Sequence, residues 1–314
     1  MLISEFALKM KNELKKVIVG QDQVLEQLIL AFLAKGHVIL EGVPGLAKTV
    51  MALTFSKIIG LNFNRIQFTP DLMPSDILGT MIFNLEKSKF VFKKGPVFTN
   101  ILLGDEINRT SPKTQAALLE VMQERQVTLE GLKYQMEPPF MVIATQNPIE
   151  FEGTYPLPEA QLDRFIMKIV IEYPGKEPEL EVLQKFQEGF DSNNLDEINF
   201  EKIDYDMVKK CQKEFLKIKV EKNILDYIMS ICISTRSHNA IHLGVSTRAA
   251  IYLLTISKYI AAFEERDYVI PDDVKKAALP VLRHRIILAA DAEIEGYKND
   301  DIITQIMEDI KVPR

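Results

Sequence analysis

Glu41-Gly-Val-Pro-Gly-Leu-Ala-Lys-Thr49 follows the short apolar run His37-Val-Ile-Leu40 and leads into a helical pattern that begins near Lys48. A glycine-rich turn between a buried strand and a helix N-terminus is the setting of a phosphate-binding loop, because consecutive backbone N–H groups there converge on phosphate oxygens. In that reading Gly42, Val43, Pro44, Gly45, Leu46 and Ala47 form the cradle and Val50 continues into the helix. Lys48 adds a point charge for the β and γ phosphates of ATP, and Thr49 offers a hydroxyl to Mg2+. The stretch departs from G-x-x-x-x-G-K-[ST] only at Ala47, where close phosphate approach calls for a negative φ. An ordinary helix-opening turn is the competing explanation.

The flanking chain favours the phosphate loop. Strand-like runs at His37–Leu40, Phe63–Phe68, Asn100–Leu103, Phe140–Ala144 and Phe165–Ile171 alternate with helical patterns, the signature of a parallel α/β sheet covered by helices. After Tyr173-Pro-Gly175 strand signals vanish, and helical periods near 178–190, 206–217, 221–237, 246–264 and 271–289 follow, separated by polar loops such as Asp191-Ser-Asn-Asn194. The expected division is an α/β nucleotide-binding domain over 1–173 and a smaller all-α domain over 174–314. Pro280 predicts a kink or break in the last of these helices.

Ile101-Leu-Leu103 then delivers Asp105 and Glu106 to the carboxyl end of a buried strand, where ligands of open α/β sheets bind. Asp105 can hold Mg2+ or its waters while Glu106 accepts a proton from the water that attacks the γ-phosphate. Asn147, in Thr145-Gln-Asn-Pro148, can bond both that water and the phosphate, with turn initiation before Pro148 as the competing explanation.

Other classes are excluded or weak. With 314 residues, 47% hydrophobic and 26% charged, the chain can bury a sizeable core, and no apolar stretch approaches the roughly 20 residues a membrane-crossing helix needs. The N-terminus reads as an amphipathic helix and not an export signal, so a cytoplasmic location is expected. Cys211 and Cys232 read as small buried hydrophobes. A net charge of -6 argues against nucleic acid as a partner; the densest basic cluster, Lys87, Lys89, Lys93 and Lys94, reads as an exposed hairpin, with Phe90 and Phe92 leaving room for a substrate-gripping loop. His238 and His242 are four apart, but Asn239 stands where a zinc hydrolase places its glutamate.

Eight segments in one order resemble the MoxR family of AAA+ ATPases: Val19-Gly-Gln21, the stretch from Gly36 to Thr49, Leu72-Met-Pro-Ser-Asp-Ile-Leu-Gly79, Gly95-Pro-Val-Phe98, Gly104-Asp-Glu-Ile-Asn-Arg109, Ala144-Thr-Gln-Asn-Pro148, Pro158-Glu-Ala-Gln-Leu-Asp-Arg-Phe165 and Gly244-Val-Ser-Thr-Arg-Ala249. The resemblance implies a P-loop AAA+ core followed by a helical lid, and it accounts for Ala47, which the family ordinarily carries. Gly104, where alanine is more familiar, is expected to loosen the strand end a little. By the same resemblance Val19, Gly20 and Gln21 border the adenine; helix-entry packing is the alternative. Arg164 matches an arginine finger reaching the next subunit's γ-phosphate, against an ion pair with Asp163, and Arg248 matches a second sensor contacting the nucleotide of its own subunit. The implied assembly is a homo-oligomeric ring, commonly hexameric, remodelling a protein client, with von Willebrand factor A domain proteins as partners. A nucleotide-gated interaction switch with little turnover is the alternative, and a DNA-remodelling machine a weaker one.

Overall fold

The computed structural model describes all residues except 87, 149–152, 193 and 314, so Lys87 of the basic hairpin and Asn193 of the polar loop lie outside the described residues. Five strands, β1 (Val38–Glu41), β2 (Phe63–Gln67), β3 (Ile101–Asp105), β4 (Met141–Gln146) and β5 (Met167–Val170), form one parallel sheet in the order β2-β3-β4-β1-β5. The inner strands β1, β3 and β4 are almost wholly apolar because both of their faces are covered, whereas the edge strand β2, Phe-Asn-Arg-Ile-Gln, is mixed. Val38, Leu40, Ile101, Leu103, Met141 and Ile143 enter one hydrophobic cluster, while the alternating Ile39, Leu102, Val142 and Ala144 enter the other. The register pairs Glu41 with Gln146 and Gln67 with Asp105, which aligns the carboxyl ends of four strands along one edge.

Gly104 does not loosen this edge. The ladder runs through it, pairing it with Ile66 on one side and Ala144 on the other. A Cβ at Gly104 would stand 2.9 Å from the buried Phe68 ring, so the glycine makes room for an aromatic packed across the sheet.

Beyond the sheet, the expected helices appear as Lys176–Gln187, Tyr205–Phe215, Lys222–Ser237 and Thr247–Phe263. The expected helix over 271–289 is too long. It spans Pro271–Leu282 and stops two residues after Pro280, which lacks the N–H for the ladder. The chain then forms a short antiparallel strand, Ile287–Leu288, paired with Ile241–Leu243, so strand structure does recur after residue 173. That pairing puts His242 in a strand, with His238 just past a helix end, and their spacing loses its helical meaning. No cluster of three or more metal-ligating side chains occurs among the described residues.

The amphipathic helix at the N-terminus, Leu2–Lys15, buries Phe6, Met10 and Leu14 and packs against Tyr205–Phe215, where the Ile3 N–H donates to Glu214 Oε2 at 2.9 Å. One hydrophobic cluster consequently runs from Ile3 through the sheet to Met307. Cys211 and Cys232 are free and buried, and burial raises their thiols to about 12 and about 11. Two strands, Gly79–Asn84 and Lys89–Lys94, form the exposed hairpin with Phe83 and Phe90 paired edge to face. No described helix is long and apolar enough to cross a membrane.

His37 joins β1 to its surroundings: its Nδ1 accepts from the Val142 N–H at 2.9 Å, and Nε2 lies 3.1 Å from the Met122 carbonyl. Burial lowers its pKa from 6.5 to about 4, so the folded ring stays neutral while the unfolded one protonates. The sign follows: the contribution is complete above pH 6.5 and is lost as pH falls towards 4, on the order of 3 kcal/mol in all. Urea melts should show stability declining across that window, with the decline visibly shallower in His37→Gln. Equal slopes in both proteins would refute the assignment.

Candidate functional site

Helix Lys48–Ile59 begins at the loop after β1, and its N-terminus opens on a cleft of about 900 Å3 at the carboxyl edge of the sheet. Pro44, Gly45, Leu46, Ala47, Lys48, Thr49 and Val50 line one side. Asp105, Glu106 and Asn147 line the same cleft from the ends of β3 and β4, and Val19 and Gln21 reach it from the turn between the first two helices. Five expected residues stand outside this lining: Gly20, Gly42, Val43, Arg164 and Arg248. Gly42 and Val43 border a neighbouring cavity, the Gly42 carbonyl accepting from Lys48 Nζ. Gly20, at φ +71°, packs so closely that a Cβ would come within 2.5 Å of Pro178 and 2.7 Å of Pro174, so it routes the chain past that turn.

Ala47 departs from the expected negative φ: it adopts φ +54°, ψ 22°. Left-handed geometry costs a non-glycine residue roughly 1–2 kcal/mol. Together with Gly45 at φ +86° it alternates the loop's backbone so that N–H groups gather into an anion-binding concavity. The strain is therefore located where the backbone must turn its donors inward.

The two carboxylates are held by neighbours that the sequence reading did not single out. Thr145 Oγ1 donates to Asp105 Oδ1 at 2.6 Å and accepts from the Glu106 N–H at 2.9 Å. Arg65 donates to Asp105 Oδ2 from Nη2 at 2.7 Å and from Nε at 3.2 Å. Gln67 Nε2 donates to Glu106 Oε2 at 2.6 Å, and Arg109 Nε lies 3.2 Å from the same oxygen. Arg65 Nη2 also donates to Gln67 Oε1 at 3.1 Å, which closes a chain Asp105–Arg65–Gln67–Glu106. Glu106 itself is left-handed, φ +58°, ahead of the 3-10 turn Ile107–Arg109. The signal for Arg65 and Gln67 was present in β2, where polar residues alternate with the buried Ile66 and Phe68; what it lacked was the identity of the neighbouring strand.

The cleft thus offers Thr49 and Asp105, hard oxygen donors with no thiol or imidazole beside them, a set that fits Mg2+. The helix N-terminus with Lys48 lines the same cleft, so the arrangement can seat a polyphosphate beside these oxygens.

Arg164 and Arg248 are not in this cleft. Both line a separate depression of about 200 Å3, with Arg125 and Lys35. Arg248 Nη1 pairs with Asp163 Oδ2 at 3.2 Å, so Asp163 supplies an anion at the N-terminus of helix Thr247–Phe263, and Arg248 lines this depression and not the cleft of Lys48 and Thr49. Asp163 also accepts from Ser246 Oγ and from buried Arg285, whose Nε lies 2.9 Å away. Among the described residues no carboxylate pairs with Arg164.

Over 311 residues the chain is 41% identical to Chaperone MoxR1 of Mycobacterium tuberculosis, spanning 96% of this chain and 81% of that protein. The chain belongs to the MoxR family of AAA+ ATPases. Its MoxR-family membership agrees with a family model described as ATPase family associated with various cellular activities (AAA), matched by residues 37–167, and an AAA lid domain model, matched by 233–306. YeaC of Bacillus subtilis, a protein without an assigned role, is 45% identical over 97% of this chain and 94% of its own. A crystal structure from Cytophaga hutchinsonii superposes on the MoxR-type fold with a TM-score of 0.87 at 43% identity, covering 99% of this chain and 98% of that one.

Proposed function

We propose that this protein hydrolyses ATP with Mg2+ at sites shared between the subunits of a homo-oligomeric ring, and that the cycle drives remodelling or assembly of a protein client. One observation carries the reading: the loop–helix junction bearing Lys48 and Thr49 lines a single cleft together with Asp105 and Glu106. Lys48 and the loop N–H groups would hold the phosphates, and Thr49 and Asp105 would hold the metal, which supplies neutralisation of charge on the phosphate oxygens. Glu106 would take the proton of the attacking water, with Asn147 orienting it. Residues 1–173 act in this reading as the nucleotide-binding unit and 174–314 as the lid.

The depression that groups Arg164 with Arg248 and Arg125 supports a shared site, because Arg164, which pairs with no carboxylate among the described residues, would find its anion in a neighbouring subunit's phosphates. Arg248 is accordingly reassigned to act beside Arg164 towards the neighbour. A hexamer is the family's usual ring, and the chaperone named among the relatives supports a client-directed role, with a von Willebrand factor A domain protein as the candidate partner and the cytoplasm as the candidate compartment.

Lys48→Ala tests the phosphate assignment. A charge-assisted phosphate contact contributes about 1.5–3 kcal/mol, so calorimetry should find ATP affinity reduced at least about tenfold in a folded variant. Unchanged affinity would overturn it.

A further inference from the structure

Asp105, the carboxylate assigned to the metal, already has a cation on it. Thr145 donates to its Oδ1, and the Arg65 guanidinium occupies Oδ2 through two nitrogens. Arg65 comes from the adjacent strand, lines the same cleft as Lys48 and Thr49, and finds its other hydrogen bond only at Gln67 Oε1 among the described residues. A guanidinium and a divalent cation compete for the lone pairs of one oxygen, and two positive charges a few ångströms apart repel. Arg65 is about half exposed, so it can swing into water when Oδ2 is claimed.

Resting on the reading of this cleft as a Mg2+–nucleotide site, the geometry points to Arg65 as a built-in counter-ion that holds the metal's place at Asp105 and opposes metal loading. Two effects of opposite sign follow. With no metal present, Arg65 adds positive charge to a cleft that must take a polyphosphate, and so strengthens nucleotide binding. With metal present, it must yield Oδ2, and so weakens metal binding. An arginine that only braced β2 against β3 would act differently: its loss would misplace Asp105 and lower metal affinity. Arg65 is thus a positioning residue whose signature is the sign of the metal effect.

The experiment compares wild type, Arg65→Ala and Arg65→Lys as full chains. A half-exposed ion pair contributes little to stability, so both variants should fold, which circular dichroism checks. Calorimetry with ADP in excess EDTA reads the metal-free term, and electron paramagnetic resonance of Mn2+ titrated into ADP-saturated protein reads the metal term. Arg65→Ala should lose about three- to tenfold in metal-free ADP affinity and gain about three- to tenfold in Mn2+ affinity, with Arg65→Lys between it and wild type. Mn2+ affinity that is unchanged or lower in Arg65→Ala overturns the counter-ion role. Wild-type protein that binds no ADP in either condition defeats the reading of the cleft itself, a result distinct from failure at Arg65.

Discussion

Glu106→Gln is expected to bind ATP with wild-type affinity and to hydrolyse it roughly 10²–10⁴-fold more slowly. Glutamine keeps the side chain's shape and one acceptor oxygen, so the bonds from Gln67 and Arg109 to that oxygen survive. What disappears is the group that takes a proton. Binding is spared because, in the proposed reading, the phosphates are held by Lys48 and the loop N–H groups and not by Glu106. Steady-state hydrolysis on assembled protein, beside calorimetry with ATP, makes the comparison. If turnover survives the substitution, the base is another residue. If wild type itself turns over no faster than the variant, the chain is a nucleotide-gated switch and the two donors on Glu106 hold an idle carboxylate.

The second large effect concerns Arg164. Its depression is separate from its own cleft, so an Arg164→Ala subunit should bind ATP normally yet leave its neighbour's site incomplete. An arginine supplied in trans contributes about 10³–10⁵ in rate in well-studied phosphoryl-transfer systems. Arg164→Ala and Glu106→Gln should each be inactive alone, and mixing them should restore part of the activity, because some interfaces then unite an intact Glu106 with an intact Arg164. Arg248→Ala should be rescued by Glu106→Gln in the same way, which tests its reassignment to the neighbour. Mixed oligomers confirmed by native mass measurement but without restored hydrolysis would place Arg164 in a structural role. Activity that persists per subunit in fully monomeric solutions would refute the shared site.

Much of the fold was legible because its signals are local. The five strands fall within two residues of the runs that predicted them, since the inner strands, covered on both faces, are almost wholly apolar and the edge strands carry short apolar runs of their own. The loop at 42–47 and the Asp105–Glu106 pair could be read for the same reason: each is a contiguous stretch at the end of an apolar run. Where local reading failed, a competing local force or a distant partner had intervened. The helix expected over 271–289 ended at Leu282, two residues after Pro280, and Ile287–Leu288 found a strand partner more than forty residues away. Ala47 took the left-handed sign because the loop's donors had to converge, a demand stronger than the steric preference of one methyl group.

Sequence alone determined the class of the sheet, the position of the glycine-rich loop at the end of β1 and that of the two carboxylates at the end of β3, all of which depend on residues adjacent in the chain. Tertiary structure alone decided which groups hold those carboxylates and which arginines share a surface. Arg65 reaches Asp105 across 40 positions because β2 pairs with β3, and Thr145 reaches it across another 40 because β4 lies on β3's other side. Arg248 meets Asp163 across 85 positions, where the lid packs beside the sheet. Strand order and helix docking are set by the burial of whole faces, a sum over many residues, so no single spacing along the chain encodes them.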